Sequence, residues 1–248
     1  MEKMKKINER FPELVICYPR PGENVYKKRL NQLKKLGVEC IFWEGKVQLG
    51  PFNILGKGCT SVVVKALRQG ENVVLKIRRT DADRENLLKE AAILKKINKY
   101  GIGPKLLDYT EDILVMEYVE GVEIEEWIAR VKNSHLLKEV LKKLLDMLFL
   151  MDKMGICHLE LARPKKHIII SGNRPVILDF ETISTKTKKS NLTQVLNFLL
   201  FRKGATARKI RKILKIEELE RLRRILKEYK KEKSKQKYLE ILKIMNLT

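Results

Sequence analysis

The chain has 248 residues, 44% of them hydrophobic and 34% charged, and a formal net charge of +22 at pH 7. That length suits one medium domain or a two-lobed one with a sizeable core. The sequence has no uncharged apolar run long enough to span a bilayer and no signal-peptide-like start, which excludes a membrane-spanning helix and sets the expectation of a soluble, cytoplasmic protein with no membrane partner. Cys17, Cys40, Cys59 and Cys157 lack C-x-x-C spacing and read as reduced thiols, not as a disulfide frame or a zinc site.

In chain order, Leu14–Tyr18 reads as a strand, Glu23–Leu36 as an amphipathic helix stopped by Gly37, and Val38–Trp43 as a second strand. Residues 1–48 are therefore expected to form a βαβ-like extension without obvious chemistry of its own. Leu55–Lys76 reads as a β-hairpin that opens on Gly56 and Gly58 and turns at Arg68–Glu71. Glycines let backbone approach a bulky anion, and a strand-end lysine such as Lys76 reaches the same phosphates with a point charge. β-Branched residues follow these glycines where a dinucleotide fold would place a helix.

Asp81–Lys99 reads as a helix capped by Asp81 or Asp83, with an apolar face of Leu87, Leu88, Ala91, Leu94 and Ile97. Glu90 lies toward that face and calls for a cation. Lys76 is one candidate, and a lysine one helical turn away is the other. Strand-like runs follow at 105–109 and 113–119, then a short helix at 123–131 and a long apolar helix at 135–154. Ile168–Ile170 and Val176–Phe180 form a further hairpin with polar residues at both mouths, and Asn191–Phe201 reads as helix. Between Phe201 and Thr248, 17 Lys and Arg stand against 6 Asp and Glu. Such a surface attracts polyanions, so RNA or ribosome association through these basic helices is one expectation. A Lys- and Glu-rich surface of a heat-adapted protein is the other, favoured because the charges are spread along helices with few aromatic residues among them for base stacking.

The order of these parts resembles the protein kinase-like superfamily over roughly residues 50–185. Gly56-Lys57-Gly58-Cys59-Thr60-Ser61-Val62-Val63 is similar to a kinase glycine loop, with Val63 where a valine covers adenine. Val73-Val74-Leu75-Lys76 resembles the V-A-I-K strand, and Glu90 matches the helix glutamate that partners its lysine. Met116-Glu117-Tyr118-Val119 resembles a kinase hinge. The resemblance makes Met116 the gatekeeper, gives adenine the Glu117 carbonyl and the Val119 N–H, and lets Glu123 reach the ribose. Asp179-Phe180 matches the metal-binding aspartate of D-F-G.

Some residues depart from that pattern. Glu160 stands for the H-R-D aspartate, and Glu181 for the D-F-G glycine. Counting from Glu160, the catalytic-loop asparagine falls on Lys165; a two-residue insertion would move that slot to His167. His158 is expected to anchor the loop. No A-P-E-like segment follows Asp179, so the chain is similar to small atypical kinases of the RIO type and of the KEOPS complex. It is most similar to predicted archaeal Ser/Thr kinases with a GKGC-type loop and an H-x-E-x-x-R-P-K-K-H catalytic loop.

The resemblance implies an α+β, two-lobed fold: an antiparallel β N-lobe (49–119) with one helix, a reduced, mostly helical C-lobe (120–202), and basic C-terminal helices (203–248). It implies a Ser/Thr protein kinase that transfers the γ-phosphate of ATP to a hydroxyl, with ATP and Mg²⁺ or Mn²⁺ as cofactors. Lys76, Glu90 and Glu160 would carry catalysis and Asp179 and His167 the metal. The acceptor would be an unknown protein or small molecule. The alternatives are a nucleotide-binding pseudokinase that acts as a scaffold, motivated by Glu160, His167 and Glu181, and a small-molecule phosphotransferase.

Overall fold

A computed structural model describes residues 11–248 of the protein; the first ten residues of the expected N-terminal extension lie outside the described residues. The chain divides into two compact units, one up to Val119 and one from Glu120 to Thr248.

The first unit is a mixed layer of helix and antiparallel sheet. It opens with α1 (Glu13–Ile16), α2 (Glu23–Lys35) and β1 (Val38–Phe42). The segment expected as a strand at 14–18 is therefore a single helical turn, and the opening is not βαβ-like. A short apolar run has no periodicity of its own to choose between strand and helix; here Val15, Ile16 and Cys17 are all fully buried, and burial decides. The strands β2 (Val47–Leu49) and β3 (Phe52–Ile54) pair with each other, and β4 (Gly56–Lys57) leads into β5 (Ser61–Arg68) and β6 (Glu71–Arg78). Gln69 and Gly70 join these last two strands with φ of 52° and 76°, the pair of positive values a tight hairpin turn needs to match strand twist.

Helix α3 runs Leu88–Asn98, followed by β7 (Leu106–Tyr109) and β8 (Ile113–Glu117). It begins later than the expected Asp81, and neither Asp81 nor Asp83 caps it: Leu87 holds the N-cap position without a side-chain bond. Asp81 is engaged by the Arg79 guanidinium at 2.7 and 2.8 Å, which removes it from capping.

The main sheet runs β1-β5-β6-β8-β7, with β4 pairing the start of β5. Alternate side chains of a strand leave by opposite faces. Val62, Val64, Ala66, Val73, Leu75, Ile77, Ile113 and Val115 belong to one core cluster with Phe11, Val15, Ile16, Leu33 and Leu36, so the N-terminal helices cover that face. Val63 pairs with Lys76 and Gly56, Lys76 with Leu114, and Val74 with Met116. These residues occupy the other face.

The second unit opens with β9 (Val122–Glu123), α4 (Ile124–Arg130) and α5 (Ser134–Lys153). Asn133 caps α5 by accepting from Leu136 N–H at 3.1 Å, and Leu137, Val140, Leu141, Leu144, Leu145 and Leu148 are buried along it. The strands β10 (Cys157–His158), β11 (Ile168–Ser171), β12 (Arg174–Ile177) and β13 (Ile183–Ser184) make two small antiparallel sheets, β12-β11-β9 and β10-β13, with a 3₁₀ turn at Pro164–Lys166. Helix α6 (Asn191–Leu196) passes into a π turn (Asn197–Phe201), and α7 (Ala205–Leu214), α8 (Leu219–Lys231) and α9 (Lys235–Ile244) complete the chain. The fold is thus α+β, with the antiparallel sheet in the N-terminal unit and helices dominating the C-terminal one. No helix among the described residues is long and apolar enough to cross a membrane.

Candidate active site

In the first unit the candidate residues gather on the face of the sheet that the N-terminal helices leave uncovered. Lys76 Nζ donates to Glu90 Oε1 at 2.7 Å, and both residues are only 3% exposed. An ion pair taken this far out of water needs its remaining lone pairs filled. Arg84 does part of this: its Nη2 donates to Glu90 Oε2 at 2.9 Å. Nothing in the sequence pattern singled out Arg84, because it lies in an irregular turn before α3. Half-buried Val63 and Val74 and buried Met116 stand on the same face as Lys76, giving an apolar strip beside a cation. Glu117 ends β8, and its N–H donates to Lys105 O at 2.8 Å; Val119 follows it as the last residue of the unit.

The glycine loop is a tight hairpin. Gly56 pairs with Val63, and Gly58 N–H donates to Ser61 O at 2.9 Å. A Cβ on Gly56 or Gly58 would meet only ordinary van der Waals contacts, so crowding within the protein does not explain these glycines.

In the second unit Glu160, His167 and Asp179 converge. One ligand atom from each lies within 4.8 Å of the others, and His167 Nε2 is 3.6 Å from Glu160 Oε2. Glu160 is exposed and also accepts from Thr182 Oγ1 at 3.0 Å. Asp179 has φ of 63°, the left-handed region that aspartate tolerates better than most residues and that recurs at functional sites. His167, not Lys165, joins the carboxylates, because the 3₁₀ turn at Pro164–Lys166 takes up the extra residues and Lys165 is exposed. Two carboxylate oxygens and an imidazole nitrogen fit a divalent cation, and the nitrogen suits Mn²⁺ better than Mg²⁺. Glu123 lies on β9 directly opposite Ile169 of β11.

The family model of the RIO domain matches residues 64–198, more than half of the chain. The chain belongs to the RIO domain family. RIO domains are an atypical protein kinase family, so the protein is kinase-like. The RIO match takes in Lys76, Glu90, Met116, Glu117, Val119, Glu123, Glu160, His167 and Asp179; Gly56, Gly58 and Val63 precede it. No curated protein matches the chain.

Around Glu160 the structure bears on His158, the expected loop anchor, and adds Asn191 and Asp152, which the sequence pattern did not point to. Buried His158 donates from Nε2 to Leu178 O at 3.0 Å and accepts Glu160 N–H on Nδ1 at 3.3 Å, so one neutral ring ties the residue before Asp179 to Glu160. Burial lowers the His158 pKa below its ordinary value, which keeps it neutral for this double role. His158 N–H in turn donates to Asn191 Oδ1 at 2.8 Å, and Asn191 Nδ2 reaches Asp152 Oδ1 at 2.9 Å and Ile156 O at 2.7 Å. Asp152, 3% exposed, also accepts from Ser190 Oγ, the Asn191 and Leu192 N–H groups, and Tyr229 OH. Burial raises its pKa while these donors oppose the rise. The helix start at Asn191 was legible; that Ser190 and Asn191 close on a carboxylate at the far end of α5 was not.

Proposed function

We propose that the protein is an ATP-dependent kinase that moves the γ-phosphate of ATP onto a serine or threonine hydroxyl. The observation that carries this reading is the convergence of Glu160, His167 and Asp179 within 4.8 Å, in the loops where a kinase keeps its hydroxyl-orienting and metal-holding groups. The desolvated Lys76–Glu90 pair supports it, since phosphoryl transfer depends on positioning and on neutralised charge more than on covalent help.

Lys76 holds the triphosphate by its ammonium, and Glu90, itself held by Arg84, keeps that ammonium in one orientation. Val63 and Met116 flank the adenine, the Glu117 carbonyl and Val119 N–H fix its edge, and Glu123 takes the ribose. Gly56 and Gly58 admit the phosphates. Asp179 and His167 hold a divalent cation, Mg²⁺ or Mn²⁺, which when bound neutralises phosphate charge. Glu160 orients the acceptor hydroxyl and takes its proton as the acceptor oxygen bonds to the γ-phosphorus and ADP departs.

Transfer of labelled phosphate from ATP to a mixed panel of Ser/Thr peptides and small hydroxyl compounds, in Mg²⁺ and in Mn²⁺, tests the reading. Lys76→Met and Asp179→Asn are each expected to lose about 100-fold or more of the wild-type rate, with circular dichroism showing a retained fold. Absence of turnover by the wild type in either metal sinks the enzyme reading. Glu160 and His167, in place of aspartate and asparagine, favour a second reading, a nucleotide-binding pseudokinase. Thermal stabilisation by ATP without turnover selects it.

A further inference from the structure

Tyr18 lies in the turn after α1 and reaches the glycine loop. Thr80 N–H donates to Tyr18 O at 2.9 Å, Thr80 Oγ1 to Cys17 O at 3.3 Å, and Arg20 N–H to Thr80 Oγ1 at 3.0 Å. These bonds fasten the segment to the residues that follow β6. Arg79, next to Thr80, turns back to the loop. Its N–H donates to Thr60 O at 2.7 Å and its Nη1 to Gly58 O at 2.9 Å. The rest of its fork is taken by Asp81, and the guanidinium lies 5.0 Å from the Tyr18 ring centroid. Lys57 Nζ, from the strand entering the loop, lies 5.4 Å from the same ring. A guanidinium held on three sides, two of them charged or aromatic, has little freedom left.

A carbonyl and the N–H of the next residue point in opposite directions. With the Gly58 carbonyl drawn to Arg79, the Cys59 N–H is turned away from it, and that N–H has no acceptor among the described residues. A backbone N–H aimed outward from a glycine-flanked turn is a donor for an anion. We infer that Tyr18 and Arg79 are positioning residues that hold the glycine loop in its phosphate-accepting form, which gives the N-terminal segment a role in nucleotide binding. The phosphate belongs to ATP, so this part rests on the kinase reading. The loop's dependence on Tyr18 and Arg79 does not.

The test is backbone hydrogen exchange on the full chain, wild type against Arg79→Ala, Tyr18→Ala and Tyr18→Phe. The Gly58 amide, bonded to Ser61 O, is expected to exchange about ten-fold faster in both alanine variants and as in wild type in Tyr18→Phe, which keeps the ring. Amides of β5 and β6 serve as the control that the fold is intact. Titration with a fluorescent ATP analogue is expected to weaken about ten-fold in the same alanine variants, because a loosened loop must be ordered on binding. Unchanged exchange at Gly58 overturns the inference. So does faster exchange with unchanged affinity in a wild type that binds the analogue. A wild type that binds no nucleotide defeats the kinase reading instead, and the exchange result alone then decides the role of Tyr18 and Arg79.

Discussion

Asp112, at the turn between β7 and β8, is used from several sides. Gln32 Nε2 donates to it at 2.9 Å and Arg78 Nε at 2.7 Å, and Arg29 Nη2 lies 3.9 Å away. Burial alone would push its carboxyl up, but the hydrogen bonds from Gln32 and Arg78 and the charges of Arg78 and Arg29 outweigh burial and hold it below its ordinary value. The unfolded chain therefore takes up this proton at a higher pH than the folded one. The stabilisation is complete above about pH 4 and is lost as pH falls through the lowered folded value. Asp112→Asn is expected to cost about 2 kcal/mol at pH 7, with the gap to wild type closing below pH 4. Urea unfolding at several pH values checks this, and a gap that does not change with pH would count against it. Asp112 was not legible in the sequence, because its partners come from 80 and 34 residues away. Lys76 and Glu90 were legible as a candidate pair, since a strand-end lysine and an inward-facing helix glutamate each advertise the need for the other. Arg84 and Asn191, which support the candidate residues, carry no such local signal.

At the scale of elements, β5, β6 and the long helix α5 were readable because their patterns are long and strongly apolar. The turn at 14–18 was misread because a short apolar run fits either structure until packing chooses. The late start of α3 has a similar cause: Asp81 offered itself as a cap, and Arg79 claimed it. One glycine does mark a structural necessity. A Cβ on Gly121 would sit 2.9 Å from Ile170 O and 3.1 Å from Ile170 C, so β9 lies against β11 only because this residue has no side chain. Gly121→Ala is expected to be less stable than wild type by about 1–3 kcal/mol. Urea midpoints compare them, and equal midpoints would show that β9 can shift without cost.

For the whole molecule, a net charge of +22 predicts an affinity for polyanions that falls steeply with salt. Binding of a homopolymeric RNA is expected to weaken about 100-fold or more between 50 and 200 mM salt, measured by fluorescence anisotropy. A flat salt response would remove nucleic acid from the list of partners. By itself the sequence determined the glycine hairpin, the long helix α5 and the hairpin of β11 and β12, because each is written in spacing over a few residues. The tertiary structure decided which face of the sheet the N-terminal helices cover. It also decided that His167 rather than Lys165 joins Glu160 and Asp179, and that Tyr18 and Arg79 brace the loop. These outcomes depend on contacts between segments far apart in the chain, and no local pattern encodes a distance that only packing sets.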